Sequence, residues 1–262
     1  MIQEKNSTMK VYEKYLENTY LRSNGDYLLK KSNFSSPADF EWRADDIGYL
    51  SQDSADLIIK DTISIQITGG EKIPWNNMVK ESGPEGVLNF VPILPLHWYV
   101  YSLGTETEYD ITFHDNDRTL NGSGFMHQEK NWGIEFPDAW IWSQGVSVNN
   151  SSHFSLSGGI VSMSGISITT WLVGYFSDKI KWDFKIIEPG TIFDWDINAC
   201  EGKFNFIAKD PVRTLKVKAY APIDSFETIS IPTENGFEPG AVESFLSTIE
   251  ISAYSHDPLL GL

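Results

Sequence analysis

Hydrophobic and polar residues alternate along most of this chain. In residues 57–67 the isoleucines at 63, 65 and 67 are separated by polar neighbours, and the run ends at Gly69-Gly70. A period of two turns alternate side chains to opposite faces of a strand, one for a core and one for water. Residues 98–103 are aromatic and β-branched, 109–113 alternate ahead of the turn-rich HDNDRTLNGSG, and 153–156 meet Gly158-Gly159, read as a strand turn like Gly69-Gly70. Further strands are predicted at 167–176, 181–187, 192–197, 203–208, 215–221 and 247–252. Short strands broken by Gly, Asn, Asp and Pro indicate an antiparallel sandwich or barrel. Two stretches depart from the pattern. Val11, Tyr12, Tyr15, Leu16 and Tyr20 fall near helical spacing, with Ser7 or Thr8 able to cap a short N-terminal helix. Residues 222–243 are punctuated by Pro and Gly and predict a long ordered excursion. The division expected is a helical or irregular segment over 1–36 and a β domain over 37–262, as one barrel or sandwich or two packed lobes.

Composition narrows the partners. The hydrophobic share of 41% supports a real core, and 13% of residues are aromatic. Charge is skewed, with 36 acidic residues against 20 basic ones and a net charge of −16. Phosphate backbones and anionic lipid need clustered Lys and Arg, so nucleic acid and electrostatic membrane docking are not expected. Neutral apolar ligands remain open. A lone Cys200 offers no internal disulfide and has no nearby His or basic cluster to activate it, so it reads as structural. The first 20 residues lack the apolar centre of a signal peptide, and no apolar run reaches the ~20 residues that span a bilayer. The expectation is a soluble, cytoplasmic chain without stable membrane insertion.

Candidate chemistry concentrates in residues 126–144, MHQEKNWGIEFPDAWIWSQ. His127, Glu129 and Asn131 occupy every second position, and so do Trp140, Trp142 and Gln144. Two strands joined through the loop carrying Gly133 and Pro137 would form a hairpin. One of its faces would then hold a carboxyl, an imidazole, two carboxamides and two indoles. Such a face can protonate an apolar substrate and stabilise the resulting cation. Each residue also has a structural reading. Glu129 beside Lys130 is an ordinary surface ion pair, Asn131 and Gln144 are satisfied amides, and Trp132, Trp140 and Trp142 are core. His97 and Trp98, after Pro92 and Pro95, line a pocket mouth or a buried aromatic strand. His114-Asp115-Asn116-Asp117 lacks the EF-hand spacing and reads as a solvated turn, so no metal site is expected. Asp194 and Asp196 share a strand face, a reserve pair of carboxylates that more simply faces solvent.

At Glu129-Lys130-Asn131-Trp132-Gly133, Phe136-Pro137 and Trp140-Ile141-Trp142-Ser143-Gln144 the chain resembles the tocopherol cyclase family. The similarity extends to ISIQITGGEKIPW and FVPILPLHWYVYSLG upstream, and to SLSGGIV and IPTENGFEPGAVESFLSTIEI downstream. It covers roughly residues 37–255. The resemblance implies a lipocalin-like β architecture, related to the carotenoid hydratase group, around an apolar pocket. It also implies addition of a phenolic oxygen across a prenyl double bond, an intramolecular lyase reaction of the isomerase class without metal or redox cofactor. Glu129 would be the acid, kept protonated by an apolar setting. His127 would relay the proton or accept the phenolic one, Asn131 and Gln144 would orient quinol hydroxyls, and Trp132, Trp140, Trp142, His97 and Trp98 would line the substrate. Two features depart from the family. An aromatic block resembling Phe-Glu-Gly-Trp-Tyr is not found in the first 60 residues, and His127-Gln128 stands where plant-like members carry smaller or tyrosine-type residues. These imply a trimmed barrel, a truncated product or a different substrate. The rival expectations are a non-catalytic lipocalin-like carrier of an isoprenoid or other apolar molecule, and a carbohydrate-binding sandwich built on the nine Trp.

Overall fold

A computed structural model describes residues 41–44, 47–51, 53–59, 62–75, 83–91, 94–133, 136–147, 149, 151–163, 165–233 and 236–256. The helix expected over 8–20 lies outside them. The rest is all-β, with antiparallel sheets. The chain divides into two compact units, residues 1–93 with 97–132, and residues 133–262 with 94–96. The stretch read from sequence as a β domain over 37–262 therefore spans both.

The first unit is built on a six-stranded sheet. Its strands are β1 (Glu41–Ala44), β2 (Gly48–Ser51), β3 (Ser54–Ile59), β4 (Ile63–Gly69), β5 (Leu96–Phe113) and β6 (Arg118–Gly133), and their spatial order equals their chain order. Ile63, Ile65 and Ile67 stand opposite Phe113, Ile111 and Tyr109. They form a small apolar cluster with Leu57, Ile59 and Leu120. The single strand expected over 57–67 is instead a hairpin, because the amide of Thr62 turns back to the Ile59 carbonyl at 3.0 Å. The two strands expected at 98–103 and 109–113 are one, β5. After β5, Asp117 adopts a left-handed φ of 52° and Asn116 Oδ1 accepts from the Arg118 amide at 3.2 Å. Asp and Asn tolerate that geometry, which starts β6 at once. The Thr-Leu-Asn-Gly-Ser-Gly stretch, expected to be turn, is therefore strand.

The second unit holds two four-stranded sheets and a hairpin. One sheet comprises β7 (Ala139–Val146), β8 (Ser152–Met163), β9 (Ile166–Ser177) and β10 (Lys181–Lys185), in the order β10-β9-β8-β7. The other comprises β11 (Ile192–Asn198), β12 (Lys203–Lys209), β13 (Arg213–Tyr220) and β16 (Thr248–Ser255), in the order β11-β12-β13-β16. The excursion expected over 222–243 is largely a hairpin of β14 (Glu227–Thr233) and β15 (Gly236–Glu243). Both sheets feed one core: Phe154, Leu156, Trp171, Val173 and Phe184 from the first, Phe204, Phe206, Leu215 and Val217 from the second. Strand pairing among the described residues closes none of the sheets into a barrel.

Gly158 and Gly159, expected at a turn, sit inside β8. A Cβ on Gly158 would lie 2.4 Å from both the Thr170 carbonyl oxygen and the Trp171 ring, and one on Gly159 would lie 1.9 Å from the Ala139 carbonyl oxygen. Glycine is required there because the Trp171 indole and the β7 backbone occupy the space a side chain would fill.

At the end of β10 a charge cluster ties the two sheets of this unit together. Lys185 pairs with Asp183, and Glu188 stands 3.6 Å from Lys185 and 3.9 Å from Arg213 on β13. Arg213 packs over the Phe184 ring at 4.7 Å and donates from Nε to Asp210 Oδ2 at 2.6 Å. Asp210 also accepts from the amides of Val212 and Arg213. Burial pushes the Asp210 carboxyl up, but these donors outweigh it and hold it below the ordinary aspartate value. Glu188 is shifted the other way, upward, chiefly by burial. A depressed folded value means that the Asp210 contribution is complete above the unfolded aspartate range near pH ~4 and is lost as pH falls through the folded value. Asp210→Asn is accordingly expected to cost about 1–2 kcal/mol at neutral pH. Denaturant unfolding of both proteins should show that gap closing as the pH drops below ~4.

Candidate active site

Alternation along β6 turns His127, Glu129 and Asn131 to one face and Gln128 and Lys130 to the other. The ordinary ion pair of Glu129 with its neighbour Lys130 is therefore not what holds the carboxyl. Glu129 Oε2 lies 3.0 Å from His127 Nε2 and accepts from the Trp98 indole Nε1–H at 2.9 Å. His127 Nδ1 lies 3.5 Å from the Leu103 carbonyl, which can only accept. The side chains of His127 and Glu129 are 9% and 19% exposed, so both are largely withdrawn from water. Trp98 packs edge-on against Trp75 with ring centroids 5.6 Å apart, and both rings are buried. Three residues singled out in the sequence are thus brought into one contact set: an acid, an imidazole and an indole, beside a second indole. Asn131 is exposed at the far end of the same row, and Trp132 is the penultimate residue of β6.

His97 is the second residue of β5. It is buried and its Nδ1 lies 2.7 Å from Glu85 Oε2, while Glu85 Oε1 accepts from the Trp98 amide at 2.6 Å. Glu85 precedes a short helical turn over 86–90. No alternation or motif marks it, so its role becomes visible when the turn is placed against β5. Trp75 closes the ISIQITGGEKIPW stretch of the resemblance, but nothing in the sequence places it beside Trp98.

The hairpin expected over 126–144 does not form. β6 belongs to the sheet of the first unit, while β7 pairs with β8 in the second. Trp140, Trp142 and Gln144 keep their common face, but on a different sheet from Glu129. All three border a cavity of about 1010 Å³ within the second unit. Ile141 packs into the core, and alternation sends Ser143 and Gly145 the same way; Ala219 and Ile249 on the other sheet and Ala221 just after β13 line the same cavity. The cavity is lined from both faces of β7, by Trp140, Trp142 and Gln144 as well as by Ser143 and Gly145. Its aromatic wall includes Trp171 and Trp195, whose rings lie 5.3 Å apart. The volume and mainly apolar lining are those of a small-molecule pocket.

The remaining constellations resolve simply. His114 Nε2 lies 2.7 Å from the Ser64 hydroxyl on the exposed turn. Asp194 and Asp196 face solvent, as expected, while Trp195 between them turns toward Trp171. Cys200, expected to be structural, is exposed. Burial lowers the Lys130 ammonium below its ordinary value. No helix among the described residues is long and apolar enough to cross a membrane. No family model, curated protein or solved structure matches the chain.

Proposed function

We propose that this chain is a tocopherol-cyclase-like enzyme of lipocalin-like character, in which Glu129 protonates an alkene of a prenylated quinol or terpenoid and so drives ring closure or hydration. The observation that carries this reading is the Glu129 carboxyl, largely withdrawn from water and held between the His127 imidazole and the Trp98 indole N–H. Proton transfer from a carboxylic acid to the alkene leaves a tertiary cation and a carboxylate. The indole N–H donates to that carboxylate, and His127 Nε2 stands where a proton can be returned. In ring closure the phenolic oxygen then bonds to the cationic carbon and its proton passes to the basic pair. The sum is an isomerisation, so neither redox cofactor nor metal enters the balance. The buried rings of Trp75 and Trp98 supply π faces to the same neighbourhood. Purified protein incubated with a prenylated hydroquinone and analysed for the chromanol tests the reading; absence of product across quinol and terpenoid alkenes would refute it.

A second reading, a carrier of an apolar small molecule, is favoured by the cavity of the second unit, which Glu129 and His127 do not line. Titration with the neutral fluorophore N-phenylnaphthylamine is expected to show saturable binding and tryptophan quenching. Ala219→Phe, which fills the inward side of β13, should weaken that binding about tenfold or more. A wild-type protein that takes up no fluorophore would eliminate the carrier.

A further inference from the structure

Strand β5 runs beyond its neighbour: the register with β4 stops at Gly69 opposite Thr107. Amides upstream of that point that do not face β6 need acceptors from elsewhere. Leu103 finds the Ile73 carbonyl at 2.8 Å. Trp98 finds a side chain, the Glu85 carboxyl, at 2.6 Å. The other oxygen of that carboxyl meets His97 Nδ1 at 2.7 Å, and both residues are buried, at 6% and 7% exposure. A buried carboxylate is costly unless its oxygens are hydrogen-bonded, and here each has a nitrogen partner. Glu85 thus grips two consecutive residues whose side chains leave opposite faces of β5. It holds the imidazole on one side and the backbone from which the Trp98 indole projects on the other. That indole N–H is the donor to Glu129 Oε2 at 2.9 Å.

We propose that Glu85 is a positioning residue for Glu129, fixing the register of β5 at Trp98 so that the indole N–H meets the acid. The inference rests on the reading of Glu129 given above, and it adds a residue that touches neither the acid nor its imidazole partner.

The test uses the full chain with 15N-labelled tryptophan, the Trp98 indole resonance being identified by its loss in Trp98→Phe. Glu85→Gln keeps an acceptor for the Trp98 amide and a donor for His97, and is expected to leave that resonance in place and turnover within about threefold of wild type. Glu85→Ala should shift the resonance toward that of a free indole and lower kcat about tenfold, with KM changed less than about threefold. Glu85→Asp withdraws the carboxylate by one methylene and should shift the resonance in the same direction, so it decides the matter where the alanine variant does not fold. An unmoved resonance in the folded alanine or aspartate variant would overturn the positioning role, as would Glu85→Gln being as damaging as Glu85→Ala. Wild-type protein without turnover on any alkene would count against Glu129 as the acid, while the resonance would still decide what Glu85 holds.

Discussion

Glu129→Gln is expected to abolish most turnover, lowering kcat by about 10²–10⁴-fold, the usual worth of a positioned proton donor. The substitution is nearly isosteric. The amide oxygen can still accept the Trp98 N–H, so the local arrangement on β6 survives while the transferable proton is lost. The fall should therefore appear in kcat and kcat/KM alike, with substrate binding retained. His127→Gln should cost less, because it removes the proposed proton-returning group 3.0 Å away and leaves the proposed donor itself. Steady-state kinetics of both variants on one prenylated hydroquinone separates these roles. Full activity in Glu129→Gln would take the acid role from Glu129.

The largest expected loss of stability is at Phe206. It is 1% exposed on β12 and sits among Trp171, Phe193 and Phe204, with ring centroids at 5.0, 5.7 and 5.6 Å. Trp171 comes from the facing sheet, so Phe206 joins the two layers. Phe206→Ala removes that contact and leaves a cavity in a region bounded by rigid rings, at a cost of about 3–5 kcal/mol. Ile207→Ala, one position along and on the opposite face of β12, should cost far less, because its side chain does not enter this core. Thermal unfolding of the two variants checks the contrast. Equal losses would mean that β12 does not present its faces as described.

Strand identity was legible wherever alternation was strong. β12 and β13 lie close to their expected positions because Phe204 and Phe206, and Leu215 and Val217, alternate with polar or outward-facing neighbours. Strand partnership was not legible. The stretch 126–144 reads as two strands with a loop, and both strands exist, yet β6 pairs with β5 and β7 with β8. Local pattern fixes which residues share a face, whereas long-range pairing decides whose face it meets. Gly158-Gly159 misled for a related reason. A glycine pair reads as a turn until the indole across the strand is in view. At the candidate site the shared face of His127 and Glu129 was readable from spacing, whereas Trp98 was read as lining a pocket mouth or a buried strand and not as a partner of Glu129. Glu85 was not readable, since a carboxylate before a short helical turn carries no signal of the β5 amide it will satisfy. An apolar pocket was expected through the resemblance alone, and nothing in the sequence showed that β7 would line it together with β13 and β16 instead of with β6.

The most direct measurement is turnover of a prenylated hydroquinone in heavy water, with the product analysed by mass spectrometry. Acid catalysis by Glu129 requires that the alkene carbon receive a solvent-derived proton, so the chromanol should carry one non-exchangeable deuterium, and Glu129→Gln should form little of it. A chromanol without carbon-bound deuterium, or the same labelled yield from Glu129→Gln, would contradict protonation by this residue.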